Sequence, residues 1–401
     1  MQQPKTNNIK TYLLLGIIYL SFIALGLPEG ALGLAWPIIR TEMDLPLEMV
    51  GIFAIVFSIF YVLVSSQNGW ISKYLKTEKM NLLGIVLLVI SYFVFSVTPN
   101  FTVMAVMTVF VGIGMGLIDT GLNDYMSKHF SSRYMNWMHC FWGMGAAFSP
   151  IIMSQMILMF GWRMGYVSIA SLQGIIGIVV LISIVKGVWN REQSQKTKVN
   201  ELIEIKPSGH YLSSKSVVFL QMLLFFLYTG TEGSLGFWIG SVLMESRGLS
   251  VEAAGIFPAA YFACIMAGRV VFGFIAGKVG NMPLIRFGMI LAAIGIIILT
   301  FSNNVMGMAL AGLGFAPLFP CLMHETSNRF SADTLSKLVG YQMAAAGAGG
   351  AFFSVTIGLS LSHISIESLF PVVFTLTIVV FAMNEALAGK LRRARRHRGG
   401  K

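Results

Sequence analysis

Charge is scarce in this sequence: Asp, Glu, Lys and Arg make up only 11% of its 401 residues, where a soluble domain carries about 25%. That scarcity excludes an ordinary globular enzyme and a disordered chain. Cysteine is nearly absent too. Its three copies, Cys140, Cys264 and Cys321, all sit in apolar runs, so free thiols are expected and a secreted disulfide scaffold is excluded. The sequence has no nucleotide-binding loop, zinc-ligand spacing or nucleophile elbow. Neither a catalytic centre nor a cofactor is therefore expected, and His324 with Glu325 stands too isolated for a metal site. What fills the chain is apolar: 56% of residues are hydrophobic and the mean hydropathy is +0.75. These values describe a membrane protein.

A bilayer core requires about 20 apolar residues per helix. Windows of that size fall at 12–38, 48–71, 80–98, 101–126, 134–160, 163–185, 217–243, 252–276, 283–301, 304–327, 337–361 and 365–388. The expectation is an all-α membrane protein with twelve transmembrane helices. The first window is too long for a signal peptide and no cleavage site follows it. Basic residues set the orientation. Lys73, Lys76, Lys79, Lys128, Arg133 and the run from Lys390 onward share the side of Lys5 and Lys10, whereas only Arg40, Arg163 and Arg247 mark the other side. Both termini are thus expected in the cytoplasm, with the protein integral to the plasma or inner membrane and contacting its lipids. The net charge of +11 and the tail "KLRRARRHRGG" reflect this orientation and not nucleic acid.

One long polar stretch, 187–215, divides the chain. It separates an N-terminal six-helix bundle (1–186) from a C-terminal one (216–388), which is followed by a basic tail (389–401). Overlaying the halves gives ordered matches. "PEGALGLAWP" aligns with "TEGSLGFWIG", placing Glu29 on Glu232; "GIF" recurs at Gly51 and Gly255; Gly112, Gly114, Phe130 and Ser131 match Gly312, Gly314, Phe330 and Ser331. Two parallel six-helix repeats, related by an axis along the membrane normal, are a transporter architecture with the solute site between the halves near the midplane.

The residues resemble the major facilitator superfamily, and within it the fucose permease-like branch of sugar–proton symporters. The resemblance rests on "GIGMGLIDTGLNDYMSKHFSSRYMNWMHCFWGMGAAFSP" (112–150), "LYTGTEGSLGFWIGSVLMESRGLSVEAAGIF" (227–257), "GRVVFGFIAGKVG" (268–280) and "GFAPLFP" (314–320). The superfamily's loop signature is degenerate here, with Ser72 and Gly277 where an acid is usual. The resemblance implies two pseudo-symmetric bundles, alternating access and a cavity lined by the first, fourth, seventh and tenth spans. It also implies that acids in the first and fourth spans handle protons and sugar, which fall here on Glu29 and Asp119.

An ionisable group at membrane depth is costly unless paired or hydrated, so such groups are the first functional candidates. Glu29, Asp119 and Glu232 lie well inside spans, with Arg269 as the basic counterpart. Glu29 is roughly 26 Å into its helix, and Glu232 lies at similar depth. Glycine flanks both and permits local unwinding or close helix contact. Asn123 follows Asp119 by one turn, and Asn136, His139 and Trp142 share a face of the fifth span. Asp119 beside His139 is expected to relay protons. Arg269, roughly 12 Å from its helix end, is expected to pair with Asp119 and gate the cytoplasmic side. For each, a purely structural polar contact is the alternative.

A sugar site needs aromatic faces and polar groups for hydroxyls. The candidates are Glu29, Asn123, Asn136, Trp142, Tyr228, Glu232, Trp238 and Gln342, with Glu29, Asp119, His139 and Glu232 for proton coupling and Asp119 and Arg269 for gating. Pro317 and Pro320 are expected to kink the tenth span, while the 25 methionines read as core gap-fillers. The expected protein is no enzyme. It is a monomeric secondary transporter, moving a small polar solute, a monosaccharide, by alternating access coupled to protons. An exporter or flippase of amphipathic, lipid-like or drug molecules stays open, as does a non-transporting receptor on the same frame.

Overall fold

With no water in a bilayer core, a spanning backbone must satisfy its own N–H and C=O groups, and a helix does so within one segment. In the computed structural model, which describes residues 6–130, 132–189, 215–329 and 332–399, the apolar windows all form helices. Among the described residues there is no strand, and twelve helices are long and apolar enough to cross a membrane. They are Lys10–Glu42, Leu47–Ser66, Thr77–Val97, Phe101–Met126, Trp137–Phe160, Trp162–Val185, Ser216–Glu245, Val251–Ala276, Asn281–Phe301, Val305–Thr326, Tyr341–His363 and Ile366–Leu391, numbered here as spans 1–12. They match the expected windows except in their end residues. Large apolar side chains such as Ile59, Phe93, Ile175, Phe274 and Phe301 remain exposed on the outside, as lipid-facing surfaces require. The expected linker lies mostly outside the described residues, and the helix of span 12 runs on to Gly399.

Spans 1–6 and 7–12 repeat one packing pattern. Span 1 packs on 5, 2 on 4, and 3 on both 4 and 6; correspondingly 7 packs on 11, 8 on 10, and 9 on both 10 and 12. The glycines of the sequence repeat set these distances. A Cβ on Gly112 would meet the Phe57 carbonyl at 2.6 Å, and one on Gly312 would meet the Tyr261 carbonyl at 2.4 Å. Only glycine allows spans 2 and 4, or 8 and 10, to approach so closely. Among the described residues the halves meet mainly along three pairs, span 1 with 7, span 2 with 11, and span 5 with 8, with a smaller contact between spans 1 and 8.

An even number of spans puts both chain ends on one face, the terminal face; the other is the distal face. Span 1 breaks midway. Its helices run Thr6–Gly26 and Ala31–Glu42, and Gly30 turns the chain with φ 72°. Pro28 lacks the N–H that the Ala24 carbonyl would accept, and the Gln173 amide of span 6 donates to that carbonyl instead at 2.9 Å. Pro37 acts the same way in the distal half-helix, freeing the Gly33 carbonyl, which accepts from the Ser241 hydroxyl of span 7 at 2.6 Å. Span 10 is interrupted between Phe315 and Leu318, where the sequence placed its proline kink.

Between described residues, the hydrogen bonds and ion pairs that join the two halves lie toward the distal face. Arg40 grips Glu245 with two bonds at 2.5 and 3.0 Å, Ser241 holds Gly33, and Ser362 donates to Glu48 at 2.6 Å. The distal seam is closed. Within the second half, Arg247 donates to Glu367 of span 12 at 2.7 and 2.9 Å. It also donates to the Leu299 carbonyl of span 9 and to Asn303 beyond it at 2.8 and 2.9 Å.

Candidate functional site

The carboxyls inside the spans fall into two clusters and one isolated group. Glu29 sits in the break of span 1, immediately before the first turn of the distal half-helix. Its carboxylate takes no hydrogen bond or ion pair from any described residue, and the residue keeps some accessible surface. Around the break stand Pro150 of span 5 and Phe262 of span 8, against which a Cβ on Gly30 would lie at 3.0 and 3.4 Å. The break therefore sits at the seam of the halves. Glu232, its repeat partner, lies in an unbroken helix, Lys215–Glu245; of unwinding and close helix contact, this segment serves the second, with Gly236 lying against Tyr261 and Phe262. Thr231 stands where the first half has Pro28, keeps its N–H, and its hydroxyl donates to the Leu227 carbonyl at 2.7 Å.

Asp119 is fully engaged. The Asn123 amide, one turn on, donates to Oδ1 at 2.7 Å, and the Tyr61 hydroxyl of span 2 donates to Oδ2. Sequence reasoning missed Tyr61. Its signal was the Gly112–Gly116 pair on span 4, whose bare face admits the Phe57–Tyr61 ridge of span 2. His139 is not joined to Asp119; its ring stands edge-on to Phe22 at 5.4 Å.

Arg269 does not reach Asp119. Its Nη2 donates to Glu232 Oε1 at 3.3 Å, while Glu232 Oε2 accepts from the Tyr228 hydroxyl. The Tyr261 hydroxyl donates to the Glu232 backbone carbonyl at 2.9 Å. Side-chain direction explains the correction. Helical side chains lean toward the N-terminus of their own helix, so Arg269 on span 8 leans distally while Glu232 on span 7 leans toward the terminal face. Two residues that differ in backbone depth thus meet. The Arg269 guanidinium also lies over the Trp142 ring of the first half, 5.6 Å from its centroid, and Trp142 meets Phe262 edge-on at 6.1 Å.

The other expected solute contacts are placed differently. Trp238 and Gln342 are fully buried. The Trp238 indole donates to the Ser354 carbonyl of span 11 at 3.1 Å. Gln342 and Gln221 both donate to the Thr326 hydroxyl, at 2.9 and 3.1 Å, tying spans 7, 10 and 11 together. Tyr228 is buried beside Glu232. In this arrangement these three face the interior of the second half, because helical periodicity turned them onto packing faces. The side chain of Asn136 lies outside the described residues. Glu29, Asp119, Asn123, His139, Trp142, Glu232 and Arg269 all retain some accessible surface. No cluster of His, Cys, Asp and Glu able to hold a metal occurs among the described residues, and Cys140, Cys264 and Cys321 are free thiols.

Two six-helix halves closed at one end over buried carboxyls define a membrane transporter. The sequence pattern of the Major Facilitator Superfamily matches residues 18–354 and 222–400, and the chain belongs to that family. It is 20% identical over 315 residues to the glucose/mannose transporter GlcP of Bacillus subtilis, covering 75% of this chain and 76% of that protein. Among solved structures it resembles a POT family transporter in complex with 5-aminolevulinic acid, with TM-score 0.74 and 14% identity over 94% of this chain and 96% of the other. It also resembles a D-xylose–proton symporter, with TM-score 0.73 and 13% identity over 93% and 97%. At such identities the structural likeness concerns the fold. The family and its relatives transport small solutes and are not enzymes.

Proposed function

We propose that this protein carries a hydroxylated small solute of the monosaccharide class across the cell membrane, coupled to protons, as a member of the fucose permease-like branch. The observation that carries this reading is Glu29, an unpartnered carboxylate in a helix break at the seam of two apolar bundles. A group held there at such expense has a task. Glu29 binds a proton or a solute hydroxyl as the terminal face opens and closes. Asp119, held by Tyr61 and Asn123, senses the state of the first half; His139, beside Phe22, is a further proton-coupling group; Trp142 offers its face to the solute and Asn123 an amide. Glu232 and Arg269 answer from the second half. Tyr228, Trp238 and Gln342 hold that half's frame while the distal seam is closed. Alternating access then consists of the bundles 1–186 and 216–388 rocking about this centre, with the linker 187–215 and the basic tail 389–401 in the cytoplasm as the distribution of Lys and Arg requires. The relative GlcP, whose name concerns glucose and mannose, supports the sugar.

Proteoliposomes test the reading. Monosaccharide uptake is expected to raise external pH, and Glu29→Gln combined with Asp119→Asn is expected to stop transport and with it that signal. Sugar-evoked alkalinisation that persists in the double variant refutes the assignment of the carboxyls. Stabilisation of the protein by amphiphiles and not by sugars turns the reading toward an exporter of lipid-like molecules.

A further inference from the structure

Five Arg–Glu pairs occur among the described residues, and they are not alike. In Arg40–Glu245, Arg247–Glu367 and Arg286–Glu385, Nε and a terminal nitrogen bind separate oxygens of one carboxylate at 2.5–3.0 Å. In Arg163–Glu42 the second oxygen is taken by the Trp162 indole at 2.7 Å. Arg269–Glu232, at the centre of the molecule, is a single long bond of 3.3 Å. The Arg269 Nε–H is buried without an acceptor, and Nη1 bonds to no described residue.

A guanidinium presents five N–H groups in a rigid fork that matches a carboxylate. Here Glu232 turns one oxygen to Tyr228 and offers the other alone. Trp142 of the opposite half lies against the guanidinium, and the Arg269 side chain keeps 19% exposure; Nε is sealed, so it is the Nη1 end of the fork that stays open to an acceptor. A planar cation on an aromatic face, with donors in excess of its partner, is a receptor for a two-oxygen acceptor.

We infer that the transported solute bears a carboxylate, which docks on Arg269 and replaces Glu232 as its counter-charge while Glu232 takes up the co-transported proton. This rests on the transport reading above and narrows its solute to acids of the sugar class. One proton arrives on the Glu232 carboxylate as one solute carboxylate arrives on Arg269, and both leave together. The central cluster therefore keeps a constant net charge between empty and loaded states, which avoids the expense of an added charge at membrane depth. Tyr228, Tyr261 and Arg269 face Glu232 from the second half. From the first half, His139 and Cys140 lie within electrostatic reach of Arg269.

Glucose and glucuronate, which differ only at C6, serve as paired probes for counterflow by the full chain in proteoliposomes. Glucuronate is expected to exchange with at least roughly 100-fold better apparent affinity than glucose, the value of charge-assisted bonds to a two-oxygen acceptor. Proton-driven glucuronate uptake is expected to be independent of a clamped membrane potential. Arg269→Lys, which keeps the charge and loses the fork, is expected to weaken glucuronate exchange about tenfold or more. Exchange of glucose without glucuronate overturns the inference and leaves the transport reading standing; exchange of neither overturns both. Uptake of glucuronate that follows the membrane potential also overturns the inference, and that measurement needs no variant.

Discussion

Gly33→Ala tests whether the distal seam is a closed state that the protein must leave. A Cβ at Gly33 would lie 1.9 Å from the Phe237 carbonyl of span 7, where real Cβ contacts stay above 3.0 Å. Spans 1 and 7 therefore have to separate by about 1 Å, and the Ser241 bond to the Gly33 carbonyl at 2.6 Å is strained or lost. Overpacking of this kind costs about 1–3 kcal/mol, and only the distally closed state bears it. The ratio of distally open to closed protein is expected to rise by a factor of roughly 5 to 140. Leu34 is 1% exposed and packs at this seam, so a Leu34→Cys reporter, with Cys140, Cys264 and Cys321 replaced, reads the opening. Its labelling by a membrane-impermeant maleimide is expected to accelerate by that factor in Gly33→Ala. Gly16→Ala supplies the control on the same span, since a Cβ there meets nothing within 4 Å. An unchanged labelling rate in folded Gly33→Ala would refute the reasoning, because the clash would then not belong to a state the protein populates.

Tyr61→Phe removes one donor from Asp119, a bond to a charged group of about 1.5–3 kcal/mol. Proton-driven uptake is expected to fall about tenfold or more, measured against counterflow in the same vesicles. Arg247→Ala breaks the half-buried pair with Glu367 and strands the carbonyls of Leu299, Thr300 and Ser302; a loss of about 3 kcal/mol is expected as a lowered unfolding temperature in detergent. Gly312→Leu drives a side chain into the Tyr261 carbonyl, and a destabilised second half that resists purification is expected. Trp238→Phe deletes the indole bond to Ser354 and leaves a cavity at a fully buried site, so stability is expected to drop by about 2 kcal/mol or more with the apparent affinity for solute unchanged.

Apolar length made the twelve spans legible in the sequence, because a bilayer imposes one length on every helix. The repeat was legible through glycines whose contacts recur in both halves, as Gly112 with Phe57 and Gly312 with Tyr261 demonstrate. The break at Glu29 was half legible. Flanking glycines are shared by Glu29 and Glu232, yet only the first has proline before it, and the missing N–H decides the matter. Arg269 meets Glu232 and not Asp119 in this distally closed arrangement, because a long side chain leans toward its helix N-terminus and changes level, which depth counted along the backbone leaves out. Trp238 and Gln342 were chosen by residue type, and their packing faces follow from which neighbour each helix turns to, which a single sequence does not specify. Tyr61 escaped notice since a hydroxyl in an apolar run carries no charge to draw the eye.

A single guanidinium, that of Arg247, is clamped at once to the end of span 12 and to the end of span 9, and it follows directly from span 7, where Glu245 meets Arg40. Torque delivered at the Arg40–Glu245 junction is consequently shared among three helices before any of them can bend. Three helices of the second half therefore share one rim contact with the first.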